Sequence, residues 1–131
     1  MGCRGTIEVW ENGGAPRSAE QPVVLYTHWG AREMLHDLKQ VLKRKVRWGD
    51  PSYLCRMIFS EMIRDDVEGE TGFGIQTRNV GDAEVEIVID MSRKEVIYKS
   101  LYRDKNGLDD DTLPLIRERY TFEELINSEE I

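Results

Sequence analysis

The chain has few residues of the kinds that most often give a protein a recognisable chemistry. Only two of its 131 residues are cysteine and only two are histidine. Cys3 and Cys55 fall in different predicted elements, which favours a reduced, cytoplasmic protein without a disulfide framework. No cysteine or histidine pair has the spacing of zinc ligands, so we expect neither a bound metal nor a cofactor.

Positive charge and long apolar runs are also scarce. The formal net charge of −7 argues against a general binder of duplex nucleic acid, because such binding depends on neutralising phosphates. No apolar run approaches the ~20 residues that a membrane-spanning helix needs. Hydrophobic residues make up 40% and charged residues 33%, which is typical of a soluble globular protein. We therefore expect one domain over residues 1–131 with no membrane partner.

Familiar catalytic motifs are missing as well. The sequence contains no G-x-S-x-G, no H-E-x-x-H and no P-loop ending, and Cys55 lies in an apolar helical segment that suits a core position. These absences favour a protein that is not an enzyme.

The first six residues satisfy the loose pattern for N-myristoylation, with Cys3 available for palmitoylation. The alternative is that Gly5 and Thr6 simply open the first strand, and we favour this interpretation.

Hydrophobic periodicity predicts the elements. Alternation predicts strands over 6–11, 23–29, 73–75, 84–90 and 96–102. A period of 3.6 predicts a helix from Ala31 that ends at Trp48-Gly49. A second helix has Asp50 as N-cap and Pro51 at its first position, and its wide apolar surface predicts that it is the more buried of the two. Thr121 and Glu124 form a capping box for a short terminal helix.

The order of these elements is ββ-αα-βββ-α. Strands and helices occur in separate runs, which predicts an α+β fold: a mostly antiparallel sheet with the helix pair packed on one face.

The most informative segment is the end of the second strand, where His28, Trp29 and Gly30 lead into a helix. A helix N-terminus offers free N–H donors, and a tryptophan ring offers a surface for stacking a flat ligand. His28 is a candidate hydrogen-bond or acid–base group. The alternative is that Trp29 fills the core while His28 satisfies a backbone carbonyl.

Two arginines are candidate partners for an anion. Arg56 lies in the second helix and Arg78 follows the third strand, although Arg56 is equally compatible with a solvent-facing stripe. The glycine-rich segment 68–74 is a connection or a lid over a pocket.

Charged segments elsewhere have ordinary explanations. Five cations are predicted near the end of the first helix, either as a docking patch or as a solvated helix end: Lys39, Lys43, Arg44, Lys45 and Arg47. The acidic segment 104–111 lacks the pattern of a calcium loop and is predicted to be solvated.

The segment Tyr26-Thr27-His28-Trp29-Gly30 resembles a loose group of small, mostly uncharacterised phage, prophage and archaeal proteins. In that group a hairpin leads into Tyr/Cys-x-His-Trp-Asp-Gly and then a helix; here Gly30 stands where the aspartate would be. The segment 71–75 also resembles a segment of the proteins in that group. The resemblance carries no activity; it implies a context of small cytosolic, virus-borne proteins that act on host systems.

We therefore expect a non-enzymatic, homo-oligomeric protein that binds a small anionic ligand such as a nucleotide, as a virus-borne sponge of a host signalling nucleotide. The predicted ligand-binding residues are His28, Trp29, Arg56 and Arg78. Two alternatives stay open. One is an acidic inhibitor or adaptor that mimics nucleic acid and binds a host protein partner, and the other is a small metal-dependent hydrolase or nuclease that uses His28 or His36.

Overall fold

The computed structural model describes residues 3–12, 20–79, 81, 83–101, 116–129 and 131. The interpretations placed on the first two residues and on the 104–111 segment lie outside the described residues. The elements in chain order are β1 (Gly5–Trp10), β2 (Val23–Thr27), a 3₁₀ turn (Ala31–Glu33), α1 (Met34–Leu42), α2 (Pro51–Met62), β3 (Phe73–Gln76), β4 (Val85–Asp90), β5 (Glu95–Ser100), β6 (Ile116–Thr121) and α3 (Phe122–Asn127).

The six strands form one sheet in the order β3-β2-β1-β4-β5-β6. Every neighbouring pair is antiparallel except β1 and β4, which run parallel with Gly5 opposite Val85. The predicted α+β class, the mostly antiparallel sheet and the order of elements are confirmed. A further strand, β6, adds to the predicted set and forms one edge of the sheet.

The helices pack on one face of the sheet. Ile7 and Val9 of β1 alternate with Thr6 and Glu8, so that one set faces the helices and the other faces away. The core on the helix side also contains Leu25, Ile87, Ile89, Met34, Leu38, Leu42, Leu54, Ile58, Phe122 and Leu125. The prediction that the second helix is the more buried one is wrong, because α1 contacts both α2 and α3 while α2 keeps an exposed side.

The connection from β3 to β4 crosses the other face of the sheet. The two strands run in the same direction with β2 and β1 between them, so the chain must return across those strands. Asn79 marks the crossing, since its Nδ2 donates to Glu8 Oε2 at 2.6 Å and more weakly to Thr6 Oγ1 at 3.4 Å. Thr6 and Val24 point toward this face and are buried.

The first helix ends at Leu42, six residues before the predicted end. Lys45 and Arg47 have positive φ angles of 53° and 63°, which no helix accommodates. The indole N–H of Trp48 then donates to the Leu42 carbonyl at 3.2 Å and satisfies one of the last acceptors of the helix.

The predicted placement of Lys43, Arg44, Lys45 and Arg47 on the first helix is consequently wrong. Residues 43–47 share no helical face because they lie beyond the helix. Lys39, which does lie in α1, is buried, and its Nζ donates to the carbonyl of Ser128.

The predicted helix caps are confirmed. Asp50 Oδ1 accepts from Tyr53 N at 3.2 Å at the start of α2, and Thr121 and Glu124 form the reciprocal capping box of α3. Both cysteines are free; Cys55 is partly buried against the core, and this burial raises its pKa to about 11. None of the described helices is both long and apolar enough to span a bilayer.

Candidate functional site: a cleft at the end of β2

A fixed turn joins β2 to the 3₁₀ turn before α1. Buried Thr27 accepts a hydrogen bond on Oγ1 from the backbone N–H of Gly30 at 2.9 Å. The N–H of Ala31 donates to the carbonyl of Cys3 at 3.1 Å. A local side-chain hydrogen bond and a hydrogen bond to Cys3, just before β1, therefore both restrain this turn and the residues within it.

The turn presents the indole ring of Trp29 to solvent. The side chain is 50% exposed, so the alternative in which Trp29 fills the core does not describe this structure. Two rings contact the indole in edge-to-face geometry: Phe73 at 5.9 Å between centroids and His28 at 6.0 Å. Such pairs stabilise a particular ring orientation. Trp29 is thus an exposed aromatic surface with a restrained position.

Both the backbone and the side chain of His28 make polar contacts. Its backbone N–H donates to the carbonyl of Gly72 at 2.7 Å. Its Nδ1 lies 3.0 Å from Tyr26 Oη and 3.4 Å from Arg4 Nε. Because a guanidinium only donates, Nδ1 acts as an acceptor toward Arg4, which places the ring proton of neutral His28 on Nε2.

A cleft of about 480 Å³ opens beside Trp29. This volume lies within the range of small-molecule sites, which is roughly 300–1,000 Å³. Its apolar wall is formed by Trp29, Phe73, Met34 and Met62, from the β2 end, β3, α1 and α2 respectively. The cleft therefore lies where the sheet edge meets the helix pair.

Carboxylates dominate the polar part of the cleft. Among the described residues, four acidic side chains line it, Glu33, Asp37, Asp65 and Asp66, against one cation, Arg64. Arg64 already has anionic partners, since its Nη1 lies 2.9 Å from Asp37 Oδ1 and its Nε lies 3.8 Å from Asp65 Oδ2. The charged residues that line the cleft therefore sum to a net negative charge, which favours cations and hydrogen-bond donors.

Asp37 is the most unusual of these carboxylates because it is buried. Removal from water raises its pKa above the ordinary value, and the hydrogen bond and charge of Arg64 oppose that rise without cancelling it. The same pairing raises the pKa of Arg64. Burial therefore makes the Asp37 carboxyl easier to protonate than a solvated aspartate.

The structure separates the predicted site residues into two groups. His28 and Trp29 contact each other at the end of β2, and Trp29 lines the cleft. Arg56 is exposed on α2 and Arg78 is exposed after β3, and neither lines the cleft.

Sequence reasoning missed the acidic lining. Asp37 and Arg64 are 27 positions apart, and a charged residue on an amphipathic helix is usually solvated. The one available signal in the sequence was the charged run Arg64-Asp65-Asp66 shortly before the glycine-rich segment 68–74.

Within the residues that the structure describes, no group of three or more histidine, cysteine, aspartate or glutamate side chains is arranged to hold a metal ion. No family model, curated protein or solved structure matches this chain. The resemblance to small viral and archaeal proteins therefore stays a prediction.

Proposed function

We propose that the protein is a non-enzymatic binding protein whose cleft holds a small, flat organic ligand against Trp29. The observation that carries the proposal is the half-exposed indole ring, restrained by Phe73 and His28 at the mouth of a cleft of about 480 Å³. A large exposed aromatic ring is costly to leave in water, and an adjoining apolar wall offers a ligand a second contact.

The charges in the cleft favour a ligand that carries amino groups or a positive charge. Asp37, Asp65 and Asp66 present acceptor oxygens, whereas Arg64 is engaged with two of them. A phosphate placed among these carboxylates would meet like charge. A heterocycle with exocyclic amines, or an aromatic amine, would instead donate hydrogen bonds to them.

A narrower proposal is that the protein is a sponge for a host signalling nucleotide. The charges in the cleft limit how such a nucleotide could bind. A nucleotide is compatible with the cleft if its base stacks on Trp29 and its phosphate stays outside the carboxylate-lined part. Arg56 and Arg78 do not line the cleft, so their participation would require a ligand that extends beyond it.

The test is calorimetric titration with a matched set of small molecules: a nucleoside, its monophosphate, an aromatic amine and the neutral analogue of that amine. Trp29→Ala is compared with Tyr53→Ala, because Tyr53 is an equally exposed aromatic residue at 52% and lies on α2. We expect binding of the nucleoside or the amine, loss of at least tenfold in affinity with Trp29→Ala, and no change with Tyr53→Ala. At a hundred times its dissociation constant such a ligand should raise stability by ~2.7 kcal/mol, which thermal unfolding would also detect.

The comparison within the set separates the ligand classes. Tighter binding of the amine than of its neutral analogue supports the role of the carboxylates. Tighter binding of the monophosphate than of the nucleoside would contradict that role and would favour phosphate binding by Arg56 and Arg78. Absence of binding across the set, or equal binding by Trp29→Ala, would reject the proposal.

A second candidate is an acidic protein that binds a basic partner. The segment between α2 and β3 carries Asp65, Asp66, Glu68 and Glu70 beside the end of α2, where Glu61 lies, and most of these side chains are exposed. Binding of this kind would weaken steeply with added salt, because it depends on exposed charges. Stacking in the cleft would depend much less on salt.

A further inference from the structure

Asp37 is a buried carboxylate in the wall of the cleft. It lies in α1 with only 7% of its side chain exposed, and it lines the same cleft as Trp29. The side chain of Trp29 is half exposed. The cleft therefore offers a ligand both an exposed aromatic ring and a carboxylate that is almost entirely removed from water.

Arg64 pairs with only one of the two oxygens of this carboxylate. Its Nη1 donates to Asp37 Oδ1 at 2.9 Å, and the same Nη1 donates to the carbonyl of Glu61 at 2.7 Å. An arginine can also bind both oxygens of a carboxylate through two parallel N–H groups, but Arg64 does not do so here. In the part of the chain that the structure describes, no hydrogen-bond donor reaches Oδ2 of Asp37.

The negative charge of Asp37 is also incompletely compensated. Arg64 lies within 4 Å of the carboxylates of Asp37, Glu61 and Asp65, so that one positive charge is shared by three negative ones. Burial raises the pKa of Asp37, and the hydrogen bond and charge of Arg64 do not offset that rise. Buried carboxylates in proteins are normally paired and hydrogen-bonded. A second cationic donor would supply what Asp37 lacks.

We propose that Oδ2 of Asp37 accepts a hydrogen bond from a positively charged N–H group of the ligand, such as an amidinium, while the flat part of the ligand stacks on Trp29. This inference rests on the proposed function, and it narrows the ligand class from any amino-bearing ring to an aromatic cation. It also makes Asp37 the residue that determines specificity in the cleft.

Asp65 provides a matched comparison within the same cleft. It too pairs with Arg64, whose Nε lies 3.8 Å from Asp65 Oδ2, but 94% of its side chain is exposed. Water competes for hydrogen bonds to an exposed carboxylate, so its net contribution to binding a cation is small. Asp37 and Asp65 are therefore the same ionisable group beside the same arginine, and they differ in burial.

Replacement of Asp37 by asparagine has a definite geometric consequence. The amide oxygen would take the place of Oδ1, because the guanidinium of Arg64 only donates hydrogen bonds. The amide NH₂ group would then stand where Oδ2 was. Asp37→Asn thereby turns the open acceptor into a donor with almost no change in size.

The test is calorimetric titration of the full chain with benzamidine, a flat aromatic cation, and with benzamide, its neutral analogue. We expect the wild type to prefer benzamidine by about tenfold or more, the amount expected for a hydrogen bond between charged groups. Asp37→Asn should abolish this preference by weakening benzamidine, and it should bind benzamide at least as tightly as the wild type does. Asp65→Asn should retain most of the preference.

This inference and the proposed function fail in different ways. If ligands bind in a Trp29-dependent manner but benzamidine is not preferred, or if Asp37→Asn keeps the preference, the role of Asp37 is overturned and stacking on Trp29 still stands. An equal loss of preference in Asp65→Asn would indicate a general field of negative charge and would also overturn it. Absence of binding by every compound, or equal binding by Trp29→Ala, would reject the proposed function and this inference together. Circular dichroism of each variant checks that it is folded.

Discussion

Gly72 and Trp29 lie so close together that no side chain fits between them. A β-carbon on Gly72 would overlap Cζ2 and Cη2 of the Trp29 ring, and Gly72 has a φ angle of +96°, which L side chains rarely adopt. The same glycine accepts the backbone hydrogen bond from His28. One position in the chain therefore combines backbone strain, close packing and a hydrogen bond at the mouth of the cleft.

Gly72→Ala should destabilise the protein by about 2 kcal/mol or more, because it adds backbone strain and a steric overlap at once. It should also weaken any ligand that stacks on Trp29, since the ring must move. Urea denaturation measures the first effect and titration the second. Gly49→Ala is the control, because a β-carbon there meets nothing within 4 Å; a similar loss in both variants would contradict this account.

Thr27→Val should cost about 1–2 kcal/mol, because valine has a similar shape but removes the acceptor for the Gly30 N–H. Thr6→Val is the matched comparison, since Thr6 is an equally buried strand threonine whose hydroxyl receives only a 3.4 Å contact from Asn79. The free energy of unfolding should fall less for Thr6→Val than for Thr27→Val. Equal losses would mean that the turn bond adds nothing.

Asp37→Asn should leave the protein at least as stable as the wild type near neutral pH. Burial raises the pKa of Asp37, so the folded state holds its proton more tightly than the unfolded state. The stability contributed by protonated Asp37 is fully present below the unfolded pKa and is lost as the pH rises through the folded pKa. The Asp37→Asn side chain cannot ionise, so the variant avoids that loss of stability. Its gain in unfolding free energy over the wild type should therefore disappear in acid. Unfolding free energies measured across the acidic range would show this, and an advantage that grows toward low pH would contradict it.

Much of the fold could be predicted because the relevant signals are local. The alternation of Ile7 and Val9 with polar neighbours, and the Asp50 and Thr121 caps, each depend on a few adjacent residues. β6 escaped prediction because three charged residues in a row hide the alternation of an edge strand. The early end of α1 escaped because positive φ angles at Lys45 and Arg47 leave no trace in residue type.

The arrangement of the candidate site was predicted in part for the same reason. His28 and Trp29 stand next to each other in sequence at the strand–helix junction, and the structure places them in contact. The carboxylate lining depends instead on how α1 packs against the end of α2, which brings Asp37 to Arg64. Such a contact between distant residues is a product of packing, and no local pattern specifies it.

The parallel pairing of β1 with β4 has a consequence for synthesis of the chain. The pair lies in the centre of the sheet, and the hydrogen bond from Arg4 N to Glu84 beside it joins residues 80 positions apart. While the ribosome is still adding the intervening residues, the apolar strand β1 has only β2 available as a neighbour. The nascent polypeptide must keep one side of its central strand unpaired until more than half of the protein has emerged, a period when chaperones would be most useful to it.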